Sequence, residues 1–168
     1  MRLSELIKEY CLNELKDEKT KSWLDQKLHS IKTDQDFFIS FALINKKIPR
    51  GHLQLSLSQL QIIQLKYPEF NIENWTLDQL CRFSLLMYYS LLSVKSLTKL
   101  ISVADTREQI SIFKSITYLE NASHFTPIVV NGIRTNIVDV FDAIALKNPF
   151  AASYFSQDEW NQMILKAV

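Results

Sequence analysis

Glycine is nearly missing from this chain: 2 residues in 168, where average usage gives about 12. Tight β-hairpins, phosphate loops and dinucleotide turns need glycine for left-handed backbone or close backbone approach. Neither G-x-G-x-x-G nor a Walker A loop occurs. The shortage points to an all-α protein and away from most nucleotide-binding folds. Cysteine is also scarce: Cys11 and Cys81 form no spacing motif, which fits a reduced compartment and no disulfide framework. Histidine is limited to His29, His52 and His124. None forms the i, i+4 pair that places two ligands on one helix face, so no metal is expected. No G-x-S-x-G elbow or nucleophilic cysteine pattern is present.

Neither charge sign dominates. Lys and Arg total 19 against 18 Asp and Glu, a net charge of +1. Residues 1–84 carry 12 basic and 11 acidic residues, and residues 85–168 carry 7 of each. No basic arm or stripe offers itself to nucleic acid. The uncharged run of residues 83–94 has 12 residues and that of residues 51–65 has 15, both short of the ~20 that a membrane-spanning helix needs. Charges also interrupt the first residues, so no secretory leader is expected and the chain reads as cytoplasmic. Hydrophobic residues at 47% and charged residues at 22% are those of one globular domain over residues 1–168.

What is present is helical periodicity. Helices are expected over residues 3–15, 21–32 (capped by Thr20), 34–48 (capped by Asp34) and 56–68, joined by short connections. Thr76 and Gln79 form a capping box. The helix that follows, residues 77–93, is apolar nearly all round and is expected to be central. Further helices are expected over 95–104, from Asp105 onward, over 127–147 with Pro127 in its first turn, and from the Ser156/Glu159 capping box to the end. Eight or nine helices of this kind form a compact antiparallel array or a short irregular solenoid. Lys46, Lys47 and Arg50 read as cations complementing a helix C-terminus.

Two polar residues break the pattern of the last third. On a wheel of 100° per residue centred on Ile137, Val130, Ile133, Val140, Phe141 and Ile144 fall within about 60°, and Arg134 falls inside that arc. On the last helix, centred on Ile164 and flanked by Trp160 and Val168, Asn161 also falls inside the apolar arc. A guanidinium in apolar surroundings must be paired. Arg134 and Asn161 are therefore expected to share one buried polar cluster, with Asn136 at its edge. Such a cluster serves either a structural role or a pocket whose ligand brings an anion to Arg134. No general base or nucleophile stands beside Arg134 in sequence.

The same residues carry a resemblance. Asn131-Gly-Ile-Arg-Thr-Asn136, then Val140-Phe-Asp-Ala-Ile-Ala145, Asn148-Pro-Phe150, Tyr154-Phe155 and Trp160-Asn-Gln-Met-Ile-Leu-Lys-Ala167 resemble the C-terminal signature of the EboA-domain family. The likeness is dense over 131–167, looser over 76–120 and only general in the first 70 residues. It implies a bacterial accessory protein, encoded with a UbiA-type prenyltransferase and other enzyme-like partners, in the movement of secondary metabolites toward the cell envelope. It implies no catalytic residue and no cofactor. Family members usually continue past the segment that here ends at Val168, so a further C-terminal segment is an open expectation. The candidate residues are Arg134, Asn136, Asn161, Asn131 and Trp160, in a ligand or structural cluster. The expected role is non-catalytic binding of partner proteins or of a small apolar, anionic metabolite. An enzyme centred on Arg134 and a pure helical adaptor are the alternatives.

Overall fold

The computed structural model describes all residues, 1–168. Eleven α-helices and two short 3-10 turns account for the ordered elements, and no strand forms. One isolated antiparallel bridge joins His52 to Thr76. The helix count exceeds the expected eight or nine for two reasons. The segment 127–147 is two helices, and the 148–155 connection contains a short one. The chain gathers into two units, Met1–Leu91 and Leu92–Val168.

The first unit holds α1 (Leu3–Glu14), α2 (Glu18–Ser30), α3 (Asp34–Lys47), α4 (Leu57–Lys66) and α5 (Leu77–Tyr88). Two caps lie one turn or less from where the periodicity placed them. Asp17, not Thr20, caps α2, with its carboxylate accepting from the Thr20 amide at 2.8 Å. Thr33, not Asp34, caps α3, accepting from the Asp36 amide at 3.2 Å. Ser56 caps α4 and forms a capping box with Gln59. Lys46 and Lys47 lie in the last turn of α3. There they face the helix's partial negative charge, and Lys47 Nζ sits 5.2 Å from the Trp23 ring centre.

α5 is the centre of this unit. α1, α2 and α3 all pack on it, and Leu77, Leu80, Cys81, Phe83, Leu85 and Leu86 are buried along it. An element covered on several sides must be apolar around its axis, which is what its sequence shows. Phe83 closes an aromatic cluster with Phe70 and Trp75, with ring centres 5.6 and 5.2 Å away. The helix stops at Tyr88 and does not reach Ser93. Ser93 instead caps the next helix, accepting from the Ser96 amide at 3.1 Å. A residue used as an N-cap has extended backbone and cannot continue the preceding helix.

The second unit holds α6 (Val94–Val103), α7 (Thr106–Ile116), α8 (Thr126–Gly132), α9 (Val138–Ala145), α10 (Phe150–Tyr154) and α11 (Gln157–Ala167). α7 packs against α6 and α9, and α8 also packs on α9. Asp105 and Glu108 form the capping box of α7, and Ser156 and Glu159 that of α11. Asn121 takes the left-handed region at φ 54° and opens a 3-10 turn over Ala122–Phe125. Gly132 stands where α8 meets α7 and α9. A Cβ there would lie 2.6 Å from Phe113 Cζ and 2.8 Å from Ile144 Cδ1, so any larger residue would force these two side chains to shift.

The single helix expected over 127–147 breaks between α8 and α9. The Arg134 and Thr135 amides turn back to the Asn131 and Gly132 carbonyls, each at 3.1 Å. Thr135 Oγ1 then accepts from the Ile137 amide at 3.1 Å. A threonine hydroxyl that takes a nearby backbone donor competes with helix continuation. This break removes the assumption on which the wheel around Ile137 rested.

Candidate functional site

The wheel's main consequence is corrected by the structure. Arg134 and Asn161 do not lie in a buried cluster: both are exposed. Arg134 follows the end of α8, where helical phase no longer governs its direction. Asn161 bonds within its own helix, accepting from Gln157 Nε2 at 2.9 Å. The buried side of α11 is marked by Met163, while Ile164, the assumed centre of the arc, is 45% exposed. Asn136 and Asn131 are exposed and Trp160 is half-buried. The residue that ties α11 to the α8–α9 connection is Lys166, which a wheel turned toward Ile164 places facing solvent. Its ammonium donates to the Thr135 carbonyl and lies 5.7 Å from the Phe141 ring centre.

Two of the five candidates do meet at one place. Asn131 and Arg134 line a cleft of about 550 Å³ within the second unit. α6 supplies Ile101, α7 supplies Phe113, α8 supplies Ile128 and α9 supplies Val140 to its apolar lining. The Arg134 guanidinium has no carboxylate and no hydrogen-bond partner in the protein, and neither does the Asn131 amide. An exposed, unpaired arginine beside an apolar hollow is a group whose charge is available to a visitor. Of the lining residues, only Arg134 carries an ionisable side chain. General acid–base chemistry draws on side chains that exchange protons near neutral pH, and arginine does not.

The buried arginine lies elsewhere. Arg82 on α5 is fully buried, donating to Asp78 Oδ2 at 3.1 Å and to Asn45 Oδ1 at 2.7 Å. The Phe41 ring centre lies 5.5 Å from its guanidinium carbon. The Thr76 hydroxyl donates to the other Asp78 oxygen at 2.7 Å. This network lies within the first unit and pairs the buried guanidinium with a carboxylate. The signal that marks it in sequence is Asp78 four residues before Arg82, the spacing of a helical ion pair.

The remaining chemistry-bearing side chains are also accounted for by packing. Cys11 and Cys81 are free thiols buried on α1 and α5. Burial, and then the neighbouring Cys81, push the Cys11 thiol well above its ordinary range, which suppresses the reactive thiolate. Lys8 Nζ lies 2.6 Å from Asp25 Oδ1 and 2.8 Å from His29 Nε2, in a surface cluster between α1 and α2. No group of three or more His, Cys, Asp or Glu side chains is placed to hold a metal ion. No helix is long and apolar enough to cross a membrane.

The signature segment therefore divides into two kinds of residue. Gly132, Asn148 and Phe150 build the second unit: Phe150 is fully buried, and Asn148 bridges the Phe113 and Ala143 carbonyls. Asn131, Arg134, Thr135 and Val140 line the cleft, and Gly132 belongs to both groups. No curated protein and no solved structure matches the chain. One family profile, described as metabolite traffic protein EboA, matches residues 3–168 across both units, and the chain belongs to the EboA family.

Proposed function

We propose that this chain is a non-catalytic accessory protein of a bacterial secondary-metabolite traffic system, and that it binds a small apolar molecule through an anionic group held by Arg134. The observation that carries the reading is the unpaired guanidinium on an apolar cleft of about 550 Å³, a volume within the range of small-molecule sites. The family description supplies the traffic context. The absence of a second ionisable side chain from the lining favours binding over an enzyme centred on Arg134. Native mass spectrometry of the protein from its own cells tests it. The wild-type chain should carry a small molecule of fixed mass that Arg134→Met loses at an unchanged denaturant midpoint. A wild-type chain that carries no small molecule, with Arg134→Met indistinguishable from it, rejects the reading.

An adaptor role draws on a separate observation. Leu57 and Leu65, on α4, are 80% and 83% exposed. Large exposed apolar side chains on one short helix favour a protein partner. Leu57→Ser with Leu65→Ser should then abolish co-purification of that partner and leave the cleft's ligand in place.

A further inference from the structure

The polar atoms around the cleft are sorted by kind. On α6, the Thr98 hydroxyl donates to the Val94 carbonyl and the Ser102 hydroxyl to the Lys99 carbonyl, each at 2.7 Å. A hydroxyl has one proton, so both side chains retain only lone pairs for anything in the cleft. On α7, Gln109 Nε2 donates to the Ala104 carbonyl at 3.1 Å. A carbonyl only accepts, which fixes the orientation of this amide and leaves Oε1 with its lone pairs unused. The α6–α7 side is therefore rich in acceptors.

The other side is rich in donors. Arg134 offers N–H groups that no protein atom takes. Thr135 Oγ1 accepts from the Ile137 amide, so its own proton remains to be given. Asn131 can present either end of its amide. All six residues line the same cleft.

We infer that the cleft selects an apolar molecule bearing an anionic group at one end and at least one separate hydroxyl or N–H donor. The anion meets Arg134 and Thr135, and the donor meets Thr98, Ser102 and Gln109. This rests on the cleft being a ligand site, as proposed above, and adds the second polar requirement. A hydroxyl carried onto an apolar wall loses its water partners without return. Here the wall returns the hydrogen bond, so a molecule lacking the hydroxyl leaves those acceptors facing its apolar body and binds less tightly.

Calorimetric titration of the full chain with decanoate and with ω-hydroxydecanoate tests this. The flexible chain lets the two ends reach their sites without a preset span. The hydroxy acid should bind about fivefold more tightly than decanoate, the gain of one net hydrogen bond. Gln109→Leu, and separately Thr98→Val with Ser102→Ala, should bring that ratio toward one. Arg134→Met should weaken both acids about tenfold, as the loss of a charge-assisted bond requires. Equal binding of the two acids to the wild-type chain, or a ratio that survives both sets of substitutions, overturns the second requirement and leaves the ligand site standing. Failure of both acids to bind overturns the ligand site and the inference together.

Discussion

Arg82 and Asp78 form an ion pair inside α5, 3.1 Å apart, with side chains 0% and 5% exposed. Removing one partner from such a pair leaves a buried charge, which costs about 3–5 kcal/mol. Asp78→Ala should lower the stability of the first unit by that order, because the neutral Asn45 amide cannot neutralise the guanidinium. Replacing both residues, Asp78→Leu with Arg82→Met, should recover most of the loss, since an apolar pair of similar size avoids the desolvation. Urea midpoints of the three proteins check this. A double variant no better than Asp78→Ala would show that the pair's hydrogen bonds to Thr76 and Asn45 matter more than its charges.

This pair also shows where sequence and structure part. The central place of α5 was legible, because an apolar residue stands on every side of its axis. So were the capping boxes at Thr76 and Ser156, because each needs only two residues three apart. The buried arginine was sought at position 134 because Ile133, Ile137, Val140 and Phe141 stay in helical phase across a break. Periodicity counts residues and does not register that the Thr135 hydroxyl has taken the Ile137 amide. The cleft was legible only through Asn131 and Arg134. Its other walls come from α6, α7 and α9, and which helices adjoin is a matter of packing between segments distant in sequence.

Tyr89 gives the first unit a dependence on alkaline pH. Its hydroxyl donates to Asp34 Oδ1 at 2.8 Å, and its ring stacks on Phe37 with centres 4.4 Å apart. Burial, and then the Asp34 carboxylate, push its ionisation up to about 12, against about 10 in an unfolded chain. The folded state therefore holds the phenol's proton more tightly than the unfolded state. The stabilisation is fully present below pH ~10 and is lost as pH rises toward ~12. Wild type and Tyr89→Phe should be separated by a constant gap in denaturant midpoint up to about pH 9, and the gap should shrink above it. A gap that stays constant to pH ~12 would contradict the assignment.

Gly132 packs directly against the Phe113 and Ile144 side chains. Gly132→Ala places a methyl group 2.6 Å from Phe113 Cζ and 2.8 Å from Ile144 Cδ1, well inside ordinary contact. Overpacking of this kind costs about 1–3 kcal/mol. Phe113→Leu should relieve part of the clash, so the double variant should be more stable than the sum of the two single changes. Thermal midpoints of the four proteins give the coupling. Strict additivity would mean that Phe113 is not what the methyl group meets.

Asn148 joins three elements with every polar atom of its amide. Nδ2 donates to the Phe113 carbonyl at 3.0 Å and to the Ala143 carbonyl at 2.9 Å, while Oδ1 accepts from the Phe150 amide at 3.0 Å. The ends of α7 and α9 and the start of α10 are thereby held by one half-buried side chain. Asn148→Ala leaves two carbonyls and one N–H without these partners and should cost about 1–3 kcal/mol. Asn148→Asp is the sharper test. It preserves the acceptor for the Phe150 amide but turns a carboxylate toward two carbonyl oxygens, where it has no proton to give at neutral pH. It should therefore be at least as destabilising as alanine at pH 7, and should improve relative to alanine as the pH falls toward 4 and the carboxyl regains a proton. An aspartate variant as stable as the parent at pH 7 would show that the two donated bonds do not hold α7 and α9 together.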